Sequence, residues 1–201
     1  MPRTTTNYRK LTTIAVLSAL SAVLMFIQIG LPILPPHLKV DFSDLPAVIG
    51  AYAYGPIAGI VIELIKNLFH LITTTTSGVG ELSNFLHGVC FVLPAGLIYR
   101  YRKDKIGALW GAAAGVAATT AASFVLNYFL TFPLYMSVLG IPRVGIVSMY
   151  SAILPAADTF AKAILIFHLP LTFVKSFVCM LVTFFVYKRI SPLLHGYERN
   201  K

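Results

Sequence analysis

Two long runs without a charged residue constrain this chain more than any other feature. Residues 11–29 and 106–142 contain no Asp, Glu, Lys or Arg, and a helix of about 20 such residues crosses the roughly 30 Å hydrocarbon layer of a membrane. The chain is 57% apolar and 11% charged, whereas a soluble domain is about half apolar and a quarter charged. Because the apolar runs are continuous rather than alternating, they predict an all-α integral membrane protein and disfavour a transmembrane barrel.

Hydropathy and helix-breaking residues divide the chain into a bundle of six predicted transmembrane helices, which form one membrane domain over residues 1–201. The predicted helices span residues 11–31, 43–54, 57–72, 82–99, 106–132 and 170–187. Gly55-Pro56 separates the second helix from the third, and Pro170 suits the first turn of the sixth. The second helix is short for a crossing at about 1.5 Å per residue, so we expect its neighbours to shield it.

The segment between predicted helices five and six, Tyr135–Leu169, is apolar but interrupted by Pro142 and Pro155. This pattern predicts a long structured outer loop that includes a helix at the membrane surface.

The net charge of +9 indicates an orientation in the membrane, because Lys and Arg concentrate in cytoplasmic loops. If the N-terminal residues 1–10 are inside, six crossings place eleven of the sixteen Lys and Arg residues on the cytoplasmic side, including those of the C-terminal segment 188–201. Both termini are therefore predicted to be cytoplasmic. No basic stripe interleaved with aromatic residues points to nucleic acid, so the lipid bilayer is the expected environment.

Polar residues from distant parts of the chain are predicted to meet on the outer side. The stretch HLKVDFSD, residues 37–44, forms the first outer loop, and residues 73–84 form a second polar element. Asn127 lies near the outer end of helix five and Thr172 near the start of helix six. A few placed polar groups among apolar residues are typical of a small-molecule pocket.

Lys175 is the strongest single candidate for a ligand contact. Twelve uncharged residues lie on each side of it. A lysine embedded in a membrane helix is costly and marks a functional site by default. The structural alternative is a lysine whose side chain extends to the outer headgroups.

Other polar residues have a structural and a functional interpretation. Asn84 and Asn127 offer amide donors and acceptors to a heterocyclic ligand, or they bond a neighbouring helix. One helical face carries polar groups at the spacing i, i+3, i+4 and i+7, and it forms either a buried polar seam or a transport or catalytic site: Glu63, Lys66, Asn67 and His70.

The first outer loop contains two carboxylates with different expected roles. Asp44 precedes a helix and Pro46, which favours a role as its cap. Lys39 and Asp41 are left to contact a ligand. No metal site is predicted, because the histidines show no metal-ligand spacing.

The first helix carries AVLSALSAV, in which Ala15 and Ala19 are four residues apart, as are Ser18 and Ala22. Small residues at this spacing let helices pack closely, within the bundle or against a partner. The chain has no G-x-x-x-x-G-K-[ST] phosphate loop, so it does not hydrolyse ATP in that way. Uphill transport by this chain would need another source of energy.

Two stretches carry a resemblance to a known family. LKVDFSDLPAVIGAYAYGPIAGIVIELIKNLFH, followed by TTTTSGVGELSNFLHGVCFVLPAGLIYRY, resembles the riboflavin-specific substrate-binding (S) components of energy-coupling factor (ECF) transporters. The resemblance implies six helices in the bacterial cell membrane, cytoplasmic termini, and a vitamin pocket near the outer face. It also implies docking on a transmembrane coupling subunit with two ATPase subunits, through an A-x-x-x-A motif that Ala15 and Ala19 match.

The resemblance also implies roles for residues of the last helix. Riboflavin members often begin this helix with P-F-N-L-x-K, and this chain has Pro170, Thr172 and Lys175 at the matching positions. The lysine matches, whereas Thr172 stands where asparagine is common and offers fewer contacts. Asn127 matches an asparagine of helix five by its position before Pro133.

The resulting hypothesis is a non-enzymatic, cofactor-free S component that binds riboflavin, with its phosphate FMN as the alternative ligand. Its predicted binding residues are Lys39, Val40, Asp41, Asn84, Asn127, Thr172 and Lys175, and its predicted coupling-subunit interface is Ala15, Ser18, Ala19 and Ala22. Three alternatives stay open at this point. They are an S component for another vitamin, a self-sufficient secondary carrier, and a membrane-embedded enzyme that uses Glu63, His70, Asp41 or His87.

Overall fold

The computed structural model describes residues 3–30, 32, 34, 35 and 38–195. The predicted end of the first helix at Leu31, the loop residues Pro36 and His37, and the C-terminal residues 196–201 lie outside the described residues. The helices are α1 (Arg3–Phe26), α2 (Asp44–Tyr54), α3 (Pro56–His70), α4 (Val79–Tyr101), α5 (Lys105–Leu126), α6 (Phe132–Leu139), α7 (Arg143–Ser151), α8 (Phe160–Ala163) and α9 (Leu169–His195).

A two-residue antiparallel ladder closes the loop between α1 and α2. Strand β1 (Ile29–Gly30) pairs with β2 (Lys39–Val40), so that Gly30 lies opposite Lys39. The ladder fixes the start of β2 beside the end of α1. The helix α1 itself ends at Phe26, earlier than hydropathy predicts.

The break between α2 and α3 follows from two adjacent residues. Gly55 ends α2 with a φ of 92°, a left-handed conformation that glycine adopts without strain, and Pro56 begins α3. The 11-residue helix α2 is buried along most of its length and packs against α1, α3, α4 and α9. Its neighbours therefore shield it, as its shortness requires.

Helix five does not end at Pro133, and the last helix does not begin at Pro170. Instead, α5 continues through a π-helical turn, Asn127–Thr131, into α6, and α8 continues through a second π-helical turn, Ile164–His168, into α9. Each wide turn lies just before a proline. A proline cannot donate to the carbonyl four residues earlier and its ring collides with that carbonyl, and a wide turn relieves both problems without ending the helix.

The predicted loop Tyr135–Leu169 is therefore mostly helical, which corrects the sequence interpretation. The residues between the two long helical segments are 140–159, and α7 occupies the first half of them. The predicted C-terminal segment 188–201 is helical as far as His195.

Small residues let α4 and α5 approach closely. The Cα of Gly111 lies over the carbonyl of Ala95, and that of Gly115 lies over Phe91, so a side chain at either glycine would collide with α4. The largest apolar cluster fills the space between α2, α4, α5 and α9. A second one, around Phe132, Tyr150 and Phe160, packs α7 against the start of α6, against α8 and against the π-helical turn after α8.

The described part of the chain contains five helical segments that are long and apolar enough to cross a membrane. They are 8–26, 56–73, 79–101, 105–139 and 160–186. Many of their large apolar side chains point outward, for example Leu20, Ile57 and Phe129. Such a surface suits lipid, and the all-α membrane fold predicted from hydropathy is confirmed.

Candidate functional site

A cavity of about 510 Å³ lies at one end of the bundle, below α7 and between α1, α4, α5 and α9. This volume is within the range of about 300–1,000 Å³ that is typical of small-molecule sites. Its wall combines apolar groups with polar groups from distant parts of the chain. We call this end of the bundle the cavity end. The polar lining residues are Gln28, Lys39, Asp41, Asp44, His70, Thr75, Thr76, Glu81, Ser83, Asn84, His87, Thr119, Asn127, Thr131, Tyr135, His168, Thr172, Lys175 and Ser176.

Six of the seven predicted binding residues line this one cavity: Lys39, Asp41, Asn84, Asn127, Thr172 and Lys175. Val40 does not line it. Successive side chains of a strand point to opposite faces, so Lys39 and Asp41 turn towards the cavity while Val40 turns away.

Lys175 joins the last helix to the first loop. Its Nζ is 3.2 Å from Oδ2 of Asp41 and 3.2 Å from Oδ2 of Asp44. The lysine is largely buried, so two carboxylates compensate its charge in place of lipid headgroups. The snorkelling alternative is therefore incorrect for this side chain.

Lys66 holds the other side of the same charged cluster and is fully buried. Its Nζ contacts Oδ1 of Asp44, lies 2.7 Å from Oε2 of Glu63, and donates to Oγ of Ser43 at 2.9 Å. Asp44 thus forms ion pairs with two lysines and does not cap α2, which corrects the capping interpretation. Ser43 occupies the cap position without a side-chain cap bond.

The buried carboxylate of Glu63 packs against Gly88 of α4, where a side chain would collide with it. Glu63 does not line the cavity, whereas His70 does. The two side chains therefore do not form a joint site, and the face of α3 acts as a buried polar seam.

The polar wall formed by α4 and α5 is pre-arranged by bonds within the protein. Asn127 donates to the carbonyl and to Oγ of Ser123, at 2.8 and 3.2 Å. The hydroxyls of Ser123 and Thr172 are 3.1 Å apart. Asn84 contributes only a weak bond to Met25 Sδ, at 3.7 Å, so its amide has capacity to bond a ligand.

The loop between α3 and α4 is fastened at the rim of the cavity. His70 Nδ1 lies 2.9 Å from Oε1 of Glu81, while Thr74 and Thr76 donate to Oε2 of the same carboxylate. The loop turns at Ser77 and Gly78, which both have positive φ. Glu81 thereby orders the threonine-rich stretch that the sequence marked only as polar.

A second fastening holds α7 over the cavity. The hydroxyl of Tyr150 lies 2.6 Å from Nε2 of His168, in the π-helical turn before α9. Burial raises the pKa of Tyr150 above its ordinary value, so its hydroxyl stays protonated and forms a hydrogen bond with the ring nitrogen, whose direction is set by the tautomer of His168. Ile146 and Met149 of α7 face the cavity as its apolar cover.

Sequence reasoning missed several cavity residues as ligand contacts, among them Gln28, His87 and His168. Gln28 and His168 lie among apolar residues and gave no signal by spacing, whereas His87 lies three residues after Asn84 and so shares its face of α4. A histidine within an uncharged helix is itself the available signal.

The predicted interface on α1 divides into two faces. Ala15 and Ala19 are exposed on the outside of the bundle. Ser18 and Ala22 are buried, and the hydroxyl of Ser18 bonds the carbonyl of Ile14. Of the four predicted residues, the structure leaves the two alanines available to a partner, because the edge of the packed face of α1 runs between them and the buried pair.

Comparisons with known proteins agree with this architecture. The family model described as "ECF transporter, substrate-specific component" matches residues 9–187. The chain belongs to this family. This S component is 31% identical over 186 residues to Riboflavin transporter RibU of Staphylococcus aureus (strain TCH60), and the match covers 92% of each chain. It is 32% identical over 187 residues to Riboflavin transporter FmnP of Bacillus subtilis (strain 168), covering 92% of this chain and 93% of that one.

A solved structure of the S component of a bacterial ECF transporter superposes with a TM-score of 0.73 at 31% identity. The match covers 94% of this chain and 98% of the solved chain. The family and these relatives are transporter components, so the present S component is a membrane transport protein and not an enzyme.

Proposed function

We propose that this S component binds riboflavin in the cavity and delivers it to an ECF module for ATP-driven uptake. The observation that carries the proposal is the convergence of Asp41, Asn84, Asn127, Thr172 and Lys175 on one cavity. Relatives that match almost the whole chain are named as riboflavin transporters, which identifies the ligand class.

The cavity suits the two chemically different parts of a flavin. Apolar side chains such as Met25, Phe91 and Leu171 offer a surface for the flat ring system. Asn127, Thr172 and Lys175 supply donors and acceptors for the polar edge of the ring or for the ribityl hydroxyls. Lys39 and Asp41 close the site from β2.

The charges of the cavity favour riboflavin itself over its phosphate. Lys175 already compensates Asp41 and Asp44, and Glu81 adds a third carboxylate to the lining. A phosphate brings about −1.5 to −2 charges at neutral pH. Among the described lining residues, Lys39 is the one lysine that no carboxylate contacts, so an uncharged ligand is the better match.

In the membrane, we place the cavity end outside and both termini in the cytoplasm of a bacterial cell, with six crossings. The short helix α2 makes the second crossing and turns back at Gly55. Arg100, Arg102 and Lys105 lie where α4 meets α5, at the end of the bundle opposite the cavity. Their position supports the orientation, because basic residues concentrate on the cytoplasmic side.

Coupling to transport uses α1 as a contact face. Ala15 and Ala19 are small and exposed, so a helix of the transmembrane coupling subunit can approach the backbone of α1 there. That subunit and two ATPase subunits supply the energy, since this chain has no phosphate loop of its own.

The proposal is tested by titrating the purified protein with riboflavin and following the quenching of flavin fluorescence. Wild-type protein is expected to show saturable one-to-one quenching. Asn84→Trp, which fills the cavity, is expected to weaken binding at least about a hundredfold, whereas Leu82→Trp, two residues away on the exposed side of α4, leaves binding unchanged.

Absence of quenching by wild-type protein, or equal binding by both variants, would reject the proposal. A thermal-shift panel of other vitamins then identifies a different ligand. Riboflavin uptake in cells that lack the coupling ATPases would instead indicate a self-sufficient carrier.

A further inference from the structure

His87 is a cavity residue that the sequence analysis considered only for the enzyme alternative, and the comparisons give it no role. It lies on α4 eight residues after Val79, which is about 12 Å below the start of the helix at 1.5 Å per residue. Phe91, one turn further along α4, also lines the cavity. His87 therefore belongs to the deep part of the site, away from the rim formed by β2 and the α3–α4 loop.

The position of the proton on the His87 ring follows from its partner. Nδ1 lies 2.7 Å from the backbone carbonyl of Ser83. A carbonyl oxygen only accepts hydrogen bonds, so Nδ1 carries the hydrogen and donates. In a neutral imidazole the other nitrogen, Nε2, is then a bare acceptor.

Within the part of the chain that the structure describes, this acceptor has only a weak partner. Among the residues that the structure describes, the hydrogen-bonding contact of Nε2 is a long one, 3.5 Å from Nδ2 of Asn127. The hydrogens of that amide are directed to the carbonyl and hydroxyl of Ser123 at shorter distances, 2.8 and 3.2 Å. Nε2 is therefore left to accept from whatever fills the cavity.

Two hydrogen bonds hold His87 in place, one to its ring from α4 itself and one to its backbone from α5. The hydroxyl of Thr119 on α5 donates to the carbonyl of His87 at 3.0 Å, which ties this turn of α4 to α5. Ring and backbone are thus both fixed, and the acceptor is presented to the cavity at little further cost in side-chain entropy.

We propose that Nε2 of His87 accepts a hydrogen bond from a donor group of the bound flavin, which makes His87 a binding and selecting residue. The inference rests on the proposed function. Riboflavin has two kinds of hydrogen-bond donor, the imide N3–H of the ring and the ribityl hydroxyls. Either kind can donate to Nε2 of His87. A ligand without a donor at that place leaves a buried acceptor unpaired, which costs about five- to a hundredfold in affinity.

The test compares three ligands on wild-type protein and on His87→Phe, which keeps a flat ring without an acceptor. The ligands are riboflavin, 3-methylriboflavin, and a flavin whose ribityl chain is replaced by an alkyl chain. Dissociation constants come from flavin fluorescence quenching. Leu82→Phe is the matched control, because it places the same flat ring on the exposed side of α4, outside the cavity.

Wild-type protein is expected to bind riboflavin at least about tenfold more tightly than the analogue that lacks the donor used by His87. In His87→Phe this preference is expected to shrink to within about threefold, while its preference over the other analogue stays as in wild-type protein. Leu82→Phe is expected to keep both wild-type preferences. The analogue whose relative affinity depends on His87 shows which donor contacts Nε2, the ring imide or a ribityl hydroxyl.

Equal ligand preferences in wild-type protein and His87→Phe would overturn the inference, even if His87→Phe binds all three flavins more weakly. If His87→Phe does not fold, His87→Leu enters the same comparison. If wild-type protein fails to bind riboflavin, the proposed function fails instead, so the two failures are distinguishable.

Discussion

At the scale of single residues, the charged cluster behind the cavity explains how a membrane helix tolerates lysine. Asp44 is shared by Lys66 and Lys175, Glu63 completes the contacts of Lys66, and Asp41 completes those of Lys175. Removing one partner of a buried ion pair is far more damaging than never having the pair, because a charge is then left uncompensated. The cluster also binds α2, α3 and α9 together.

The first prediction concerns this cluster. Lys66→Met leaves Asp44 and Glu63 short of a cation in a fully buried position, so we expect the free energy of unfolding to fall by about 3–5 kcal/mol. Lys162→Met is the control, because Lys162 forms an exposed pair with Asp158 and such pairs contribute about 0–1 kcal/mol. Thermal unfolding in detergent measures both, and similar losses in the two variants would contradict the account.

The second prediction concerns Thr172. Thr172→Val keeps the shape of the side chain but removes a hydroxyl that faces Ser123 and the cavity. We expect riboflavin affinity to fall about three- to tenfold, the cost of one neutral hydrogen bond. Thr120→Val makes the same change where the buried hydroxyl has no partner among the described residues, and fluorescence titration should show unchanged affinity there. An affinity loss of the same size in Thr120→Val would contradict a ligand contact by Thr172.

At the scale of helices, the prolines decide what the sequence could and could not predict. Pro56 and Gly55 act as expected and separate α2 from α3. Pro133 and Pro170 interrupt the hydrogen-bond ladder in the same way, yet the packed neighbours of these helices let a π-helical turn absorb the interruption. Sequence alone cannot distinguish these outcomes, because the deciding contacts come from other helices.

The third prediction concerns the turn between α2 and α3. Gly55→Ala forces a side chain into the left-handed region, at φ 92°, although the space around it is open. We expect a loss of about 1 kcal/mol, or a fall of about 2–4 °C in the melting temperature.

Gly30→Ala is the control for this prediction, because Gly30 has equally open surroundings and no positive φ. Its melting temperature should stay within about 1 °C of the wild-type value. An equal shift in both variants would show that the backbone conformation of Gly55 is not the cause.

At the scale of the whole molecule, the two proposed functions use different surfaces. The cavity lies at one end of the bundle, and the exposed alanines of α1 lie on its side. Binding and coupling should therefore be separable by mutation.

The fourth prediction uses this separation. Ala15→Leu together with Ala19→Leu blocks close approach of a partner helix, so riboflavin uptake by cells that express the full transporter should fall at least about tenfold. Riboflavin binding by the purified variant should be unchanged. Ala121→Leu places the same bulk on the exposed side of α5, and normal uptake is expected. Loss of binding in the double variant, or equal loss of uptake in the control, would contradict the separation.

Much of the fold and of the site could be predicted from the sequence because charge is scarce in a membrane helix. Lys175 stood out for that reason, and Asn127 and Asn84 stood out as polar amides near helix ends. The predicted topology placed all three at the same end of the bundle. The orientation of individual side chains could not be predicted. Val40 turns away from the cavity, Ser18 and Ala22 turn inward, and His87 turns towards the cavity through contacts with Ser83 and Asn127 that no spacing reveals.

The most direct test of the central claim is an experimental structure of the protein with riboflavin bound. The account predicts one flavin in the cavity below α7, with polar atoms within hydrogen-bond distance of Asn127, Thr172 and Lys175. A flavin bound elsewhere, or a cavity that stays without flavin at saturating riboflavin, would contradict it.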